Sequence, residues 1–197
     1  MDNKPYQHNG NQSDAEVWSR LVDQDMTALS YLFKKHYSLL FNYGLKMVRD
    51  DQLVEDTIQD VFYKFWKKSQ SLEKVENPKS YILRSFRNTL IDRITKLKNQ
   101  EKATFNFIHE TESVQDKIIE EESHLEMRTR IDQGLDKLPE RQREIIYLRF
   151  YQDMDYQQIS EALGINYQSV RNSVHASVKK LRQTLISAAL LVINTFI

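Results

Sequence analysis

Four glycines and three prolines in 197 residues leave this chain almost no material for tight turns. A many-stranded β protein needs such residues at each hairpin, so the sequence predicts an all-α fold. Cysteine is absent, which excludes disulfide frameworks, thiolate metal sites and a cysteine nucleophile. The five histidines (His8, His36, His109, His124 and His175) are scattered, with no His-x-x-x-His pair. We therefore expect no metal and no cofactor. No Gly-rich phosphate loop and no plausible triad is present, so catalysis and a small-molecule substrate are not expected.

Periodicity then places the helices. Ala15, Val17, Trp18, Leu21 and Val22 recur at helical spacing behind a polar tail over residues 1–12, which reads as disordered. Leu29, Leu32 and Phe33 mark a second helix, and Leu39, Leu40, Tyr43, Leu45, Met47 and Val48 a third. Asp50 and Asp51 open a long helix, since acidic groups complement the dipole of a first turn. Its Val54, Ile58, Val61, Phe62 and Phe65 form one apolar stripe. A loop over Ser69–Asn77 precedes a helix with Pro78 in its first turn and Asn77 as its cap. Leu83, Phe86, Leu90, Ile94 and Leu97 line one face of that helix, which runs to about Lys98. Ile131, Leu135 and Leu138 resume helical spacing, and Pro139 starts a helix whose Ile145, Ile146, Leu148 and Phe150 supply core.

Charge divides the chain in the same way. Lys and Arg number 28, as do Asp and Glu, for a net charge of zero. Residues 26–100 nevertheless carry 14 basic against 8 acidic groups, and residues 127–197 carry 10 against 7. Residues 1–25 and 101–126 are acidic, with 2 against 5 and 2 against 8. Local fields of this kind, more than the total, decide what each surface attracts. The expected organisation is a tail (1–12), an N-terminal domain (13–98), an acidic linker (99–126) and a C-terminal domain (127–197). The apolar run from Leu185 to Ile197 is too short to span a bilayer. A buried or partner-covered helix, or a tail touching a membrane, would account for it. The polar start carries no apolar signal segment, and a cytoplasmic location is expected.

Within the C-terminal domain, residues 156–171 have a defined grammar. Ile159, Ala162 and Leu163 face inward from a short helix. Gly164 supplies the positive φ of a tight turn, Ile165 plugs the corner, and Asn166 caps a second helix with Val170 and Val174 buried. This is the spacing of a DNA-binding helix-turn-helix, although a structural helical hairpin would share it. Gln168, Ser169, Arg171, Asn172, His175 and Lys179 point away from the apolar face. Arg suits a guanine edge, Asn and Gln an adenine edge, and Lys more often a phosphate.

Two segments of the N-terminal domain are also patterned. Opposite the apolar stripe, Asp56, Gln59, Asp60 and Tyr63 form a face suited to a helical or basic protein partner, or simply to solvent. After Pro78, Lys79, Arg84, Arg87, Asn88 and Arg93 interleave with Tyr81, a combination that binds phosphates and stacks unpaired bases.

In order, the chain reads Glu-Asp-x-x-Gln-Asp-x-Phe-x-x-x-Trp, Asn-Pro-x-x-Tyr-Ile, Asn-x-x-x-Asp, then Leu-Pro-x-x-x-Arg and the helix-turn-helix. This series resembles the small, two-domain extracytoplasmic-function group of bacterial RNA polymerase sigma factors, over residues 25–98 and 127–183. The resemblance implies that Asp56, Gln59, Asp60, Phe62 and Tyr63 meet the β′ clamp helices of core RNA polymerase. It implies that the 69–77 loop and Lys79, Tyr81, Arg84, Arg87, Asn88 and Arg93 serve the −10 promoter element and a flipped-out base, with Asn88 and Asp92 matching the motif there. The 167–182 helix would read the −35 element, and an anti-sigma factor is an implied partner. The acidic linker would match a tether through the RNA exit path, where repulsion from emerging RNA would favour release. Ser173 and Ala176 stand where many relatives place arginine, and the apolar end beyond Leu185 exceeds the usual pattern. The rival reading is a dimeric helix-turn-helix regulator that binds an operator without polymerase.

Overall fold

The computed structural model describes residues 13–98 and 131–195, with side chains described to Leu97 in the first stretch and to Gln183 in the second. All regular structure among the described residues is helical. Helix α1 (Asp14–Val22) begins at a reciprocal capping box between Ser13 and Glu16. This arrangement satisfies two backbone donors that would otherwise lack partners. Helix α2 (Met26–Met47) starts from Asp25, whose carboxylate accepts from the Thr27 backbone N–H.

Helix α2 corrects one expectation. It is a single helix of 22 residues, where periodicity had divided it into two. The buried stripe runs Leu32, His36, Leu40, Tyr43 and Met47, and the polar His36 in its middle interrupts the apolar signal without interrupting the helix.

Helix α3 (Asp51–Lys67) is capped by Asp50 and buries Val54, Ile58, Val61, Phe62 and Phe65, the predicted stripe. A 3-10 turn (Ser69–Ser71) leads into an irregular stretch, residues 72–77, and then α4 (Pro78–Lys98). The indole of Trp18, fully buried, donates to the Glu73 carbonyl at 3.0 Å. Its ring packs edge-on against Phe65 and Tyr81, so α1 holds the 72–77 stretch against the bundle. Leu83, Phe86, Leu90 and Ile94 are buried as expected, but Leu97 is 49 % exposed, because the face it continues has run past its neighbours.

The second lobe has helical residues 131–136, α5 (Glu140–Phe150), α6 (Tyr156–Leu163) and α7 (Tyr167–Thr195). Five consecutive residues of α5, Glu144 to Leu148, are buried. A helix covered on all sides is a central one. Phe150 is not core as expected; at the end of α5 it is 59 % exposed, with the Arg149 guanidinium 5.8 Å from its ring centroid.

The two lobes pack together, with α4 against α6. One apolar cluster runs from Val17 through Phe86 to Ile145, Leu148, Met154 and Val174. The expected tail (1–12) and linker (99–126) lie outside the described residues.

Candidate nucleic-acid interface

The helix-turn-helix forms as its sequence requires. Asp155 and Gln158 close a capping box at the start of α6. Gly164 ends α6 with φ +64°, a left-handed conformation that side chains with a Cβ rarely adopt. Asn166 Oδ1 accepts the Ser169 N–H at 2.7 Å and so caps α7. Val170 and Val174 are buried, which fixes the rotation of the helix. Gln168, Ser169, Arg171, Asn172, His175 and Lys179 are then all exposed on the outer face. The Gln168 amide donates to Asn172 Oδ1 at 3.0 Å, which aligns two groups suited to an adenine edge. Helix α7 continues unbroken to Thr195, so the backbone of the apolar tail extends the predicted 167–182 reader. The tail's side chains lie outside the description.

On α3, Asp56 and Gln59 are exposed and Tyr63 is 63 % exposed. Asp60 is partly covered and pairs with Arg93 from α4. Phe62 corrects the predicted surface: it is a core residue, 4 % exposed, edge-on to Phe33 and Phe65. The four-residue spacing from Ile58 carries it onto the buried stripe.

The basic face of α4 was expected to be open, and here the structure departs most. Of its six residues, Arg84 and Asn88 are exposed. Arg93 is held by Asp60. Tyr81 is half-buried between Trp18 and Phe65. Lys79 Nζ donates to the Gln152 carbonyl of the second lobe at 2.7 Å, and burial lowers its pKa. Arg87 Nε donates to Glu144 Oε1 at 2.8 Å. Burial alone would lower the Arg87 pKa, but the bond to and charge of Glu144 outweigh it and raise the value.

A cleft of about 280 Å³ opens where α4, the 72–77 stretch and α6 meet, lined by Val75, Glu76, Asn77, Tyr81, Arg84 and Glu161. It combines an aromatic ring, a guanidinium, an amide and carboxylates, groups that can hold a planar polar heterocycle. Asn77 Nδ2 donates to Glu161 Oε1 across the cleft at 3.4 Å.

Three groups at this junction, Glu144, Gln152 and Glu161, had not been singled out in the sequence, and Tyr43 had been read only as an apolar helix position. For Glu144 a signal existed. It begins a run, Glu-Ile-Ile-Tyr-Leu, in which a lone carboxylate adjoins four residues that all seek burial.

Comparison with known proteins agrees with this geometry. The family Sigma-70 region 2 matches residues 32–100, and Sigma-70, region 4 matches residues 128–181. The ECF RNA polymerase sigma factor SigK of Mycobacterium sp. (strain KMS) is 24 % identical over 177 residues, spanning 88 % of this chain and 91 % of that protein. The RNA polymerase sigma factor SigZ of Bacillus subtilis (strain 168) is 29 % identical over 154 residues, covering 78 % and 85 %. Among solved structures, CnrH in complex with the cytosolic domain of CnrY superposes with a TM-score of 0.59 at 18 % identity, over 89 % of this chain and 99 % of that one. The sigma factor RpoE of Bartonella quintana, in complex with the anti-sigma factor NepR, superposes with a TM-score of 0.55 at 20 % identity, over 78 % and 96 %. At such identities the structural likeness speaks to the fold.

Proposed function

Because the chain belongs to the extracytoplasmic-function sigma factors of bacterial RNA polymerase, we propose that it divides promoter recognition between its two lobes, 13–98 and 127–197, joined by the acidic 99–126 linker. The chain acts as a binding factor, in the cytoplasm with core polymerase, and performs no chemistry of its own. The exposed Asp56, Gln59 and Tyr63 of α3 meet the polymerase, and α4 with the 72–77 stretch takes the −10 element. Extruding a base costs a few kcal/mol, and stacking on an aromatic returns about 1–3 kcal/mol. Tyr81, braced by Trp18 and Phe65, supplies such a ring beside Arg84 in the cleft.

The observation that carries this reading is the outer face of α7. Six polar side chains suited to bases and phosphates are exposed together, immediately after the left-handed turn at Gly164. A protein partner that silences the factor belongs to the same reading, since RpoE was captured with an anti-sigma factor.

A pulldown with core polymerase tests the proposal. The wild type is retained, and Asp56→Arg combined with Gln59→Ala loses at least about tenfold in retention, in line with loss of centrally placed polar contacts. If the wild type itself is not retained, this reading is wrong. Transcription from promoter libraries with the retained complex then defines the two elements.

A further inference from the structure

Helix α7 changes character along its length. Its inner stripe, Val170, Val174 and Ser177, is buried, and Leu181 continues it onto Leu135, Leu138 and Ile146. Between Arg171 and Gln183 the outer line carries Arg171, His175, Lys179 and Arg182, all exposed, with the apolar Val178 among them at 43 % exposure. The backbone then stays helical to Thr195. At 1.5 Å per residue this adds about 16 Å of helix beyond Thr184.

Helical register places the residues of that added run. At 3.6 residues per turn, Leu185, Ile186, Ala189, Val192 and Ile193 continue the outer line of Arg171, His175, Val178 and Arg182. Thr184, Ser187 and Asn194 fall on the opposite line with Gln183, interrupted by Leu191. The outer line is therefore polar where it reads DNA and apolar where it continues. Apolar residues gain nothing from promoter phosphates, and the inner stripe that meets the lobe lies about a quarter turn away.

Charge selects what covers this face. Residues 162–197 contain no Asp or Glu, whereas Arg171, Lys179, Lys180 and Arg182 are all basic. Lys179 and Arg182 stand exposed at the border of the apolar run, and Lys180 beside them also donates to the Lys137 carbonyl at 2.6 Å. An apolar helical line bordered by cations, with no acidic residue near it, is complementary to acyl chains beneath anionic headgroups.

We propose that residues 178–195 of α7 form a binding surface for an anionic membrane. The outer apolar line seats just below the headgroups of one leaflet, and Lys179 and Arg182 pair with the lipid phosphates. The helix lies in the plane of the surface. No helix among the described residues is long and apolar enough to cross a membrane, and the added run of about 16 Å is roughly half of a hydrocarbon core. Gln183, Ser187 and Asn194 on the opposite line keep contact with water. Because one line of α7 serves both purposes, membrane and −35 element approach from the same side and compete for Lys179. That competition rests on the sigma-factor reading above, whereas the membrane surface does not.

Flotation of the full chain with lipid vesicles tests the proposal. The wild type is expected to float with mixed phosphatidylethanolamine–phosphatidylglycerol vesicles and to bind pure phosphatidylcholine at least about tenfold less, a contrast set by the anionic surface potential. Lys179→Gln combined with Arg182→Gln should lose about tenfold on the anionic vesicles. Ile186→Glu combined with Ile193→Glu should abolish flotation, with the melting curve and retention by core polymerase unchanged. Wild type that stays unfloated with anionic vesicles overturns the proposal, as does equal binding to phosphatidylcholine, and neither readout depends on a variant. A concentration-dependent dimer without lipid that is lost in the Ile186→Glu, Ile193→Glu chain assigns the face to a second copy and also overturns it. A complex preassembled with core polymerase and promoter is expected to remain unfloated. Flotation of that complex overturns the competition alone, whereas failure to form any such complex rejects the sigma-factor reading and leaves the vesicle result standing.

Discussion

At the start of α1, the Asp14 carboxylate lies 2.6 Å from Lys35 Nζ and 3.2 Å from His36 Nε2. The His36 interaction, opposed by partial burial and aided by Lys35, lowers its pKa from 3.8 to about 2. A carboxyl depressed in the folded state stabilises above its unfolded pKa, and that contribution fades as pH falls through the folded value. Asp14→Asn should therefore cost about 1 kcal/mol near neutrality, allowing for solvent screening. The penalty should shrink between pH 4 and pH 2, as followed by denaturant melts across that range. Gly44 makes a different demand. A Cβ there would stand 2.7 Å and 2.9 Å from the two Val54 methyls and 3.0 Å from Phe86 Cζ, so α2 approaches α3 and α4 only because the side chain is missing. The better helix propensity of alanine returns about 1 kcal/mol, and overpacking costs about 1–3 kcal/mol. Gly44→Ala is predicted to lower the thermal midpoint by several degrees without altering promoter preference, which melting curves and the transcription assay would check together.

Among elements, the recognition helix depends most visibly on its first turn. Asn166 accepts the Ser169 N–H, and removing such a cap costs about 1 kcal/mol. Asn166→Ala should fray the segment that carries Gln168 and Ser169. It is expected to weaken −35-dependent transcription several-fold while leaving retention by core polymerase intact, since α3 is remote from the cap. This helix-turn-helix was fully legible because local residues determine it: one glycine, one cap and two valines set the turn, the start and the rotation. The same holds for α3, where Asp50 and the buried stripe act within a single helix. Legibility failed where long-range packing decided the outcome. His36 broke the apolar rhythm of α2 although the helix continues through it. Phe62 reads as stripe from periodicity and as surface only through the resemblance, and its packing against Phe33 makes it core. The apolar run after Glu144 hints at its burial but not at its partners, since the donors Tyr43 and Arg87 lie 101 and 57 positions away. No local pattern carries a contact of that range.

For the whole molecule, zero net charge acquires meaning through the packing of the lobes. Non-specific affinity for DNA comes from cations free to replace counterions on phosphates. Part of the basic surplus of residues 26–100 is engaged inside the protein. Lys79 and Arg87 are bound to the second lobe, and Arg93 is paired with Asp60. The exposed cations of α7, Arg171, Lys179, Lys180 and Arg182, are too few alone to hold duplex DNA at physiological salt. The isolated chain should therefore give no retarded band with promoter duplex at about 150 mM salt and micromolar protein, conditions under which non-specific binders are already near their dissociation constants. Adding core polymerase should produce a sequence-specific complex at nanomolar concentrations, because the polymerase supplies the missing phosphate contacts. Tight, operator-like binding by the isolated chain at that salt would contradict the division of labour and would favour a free-standing helix-turn-helix regulator.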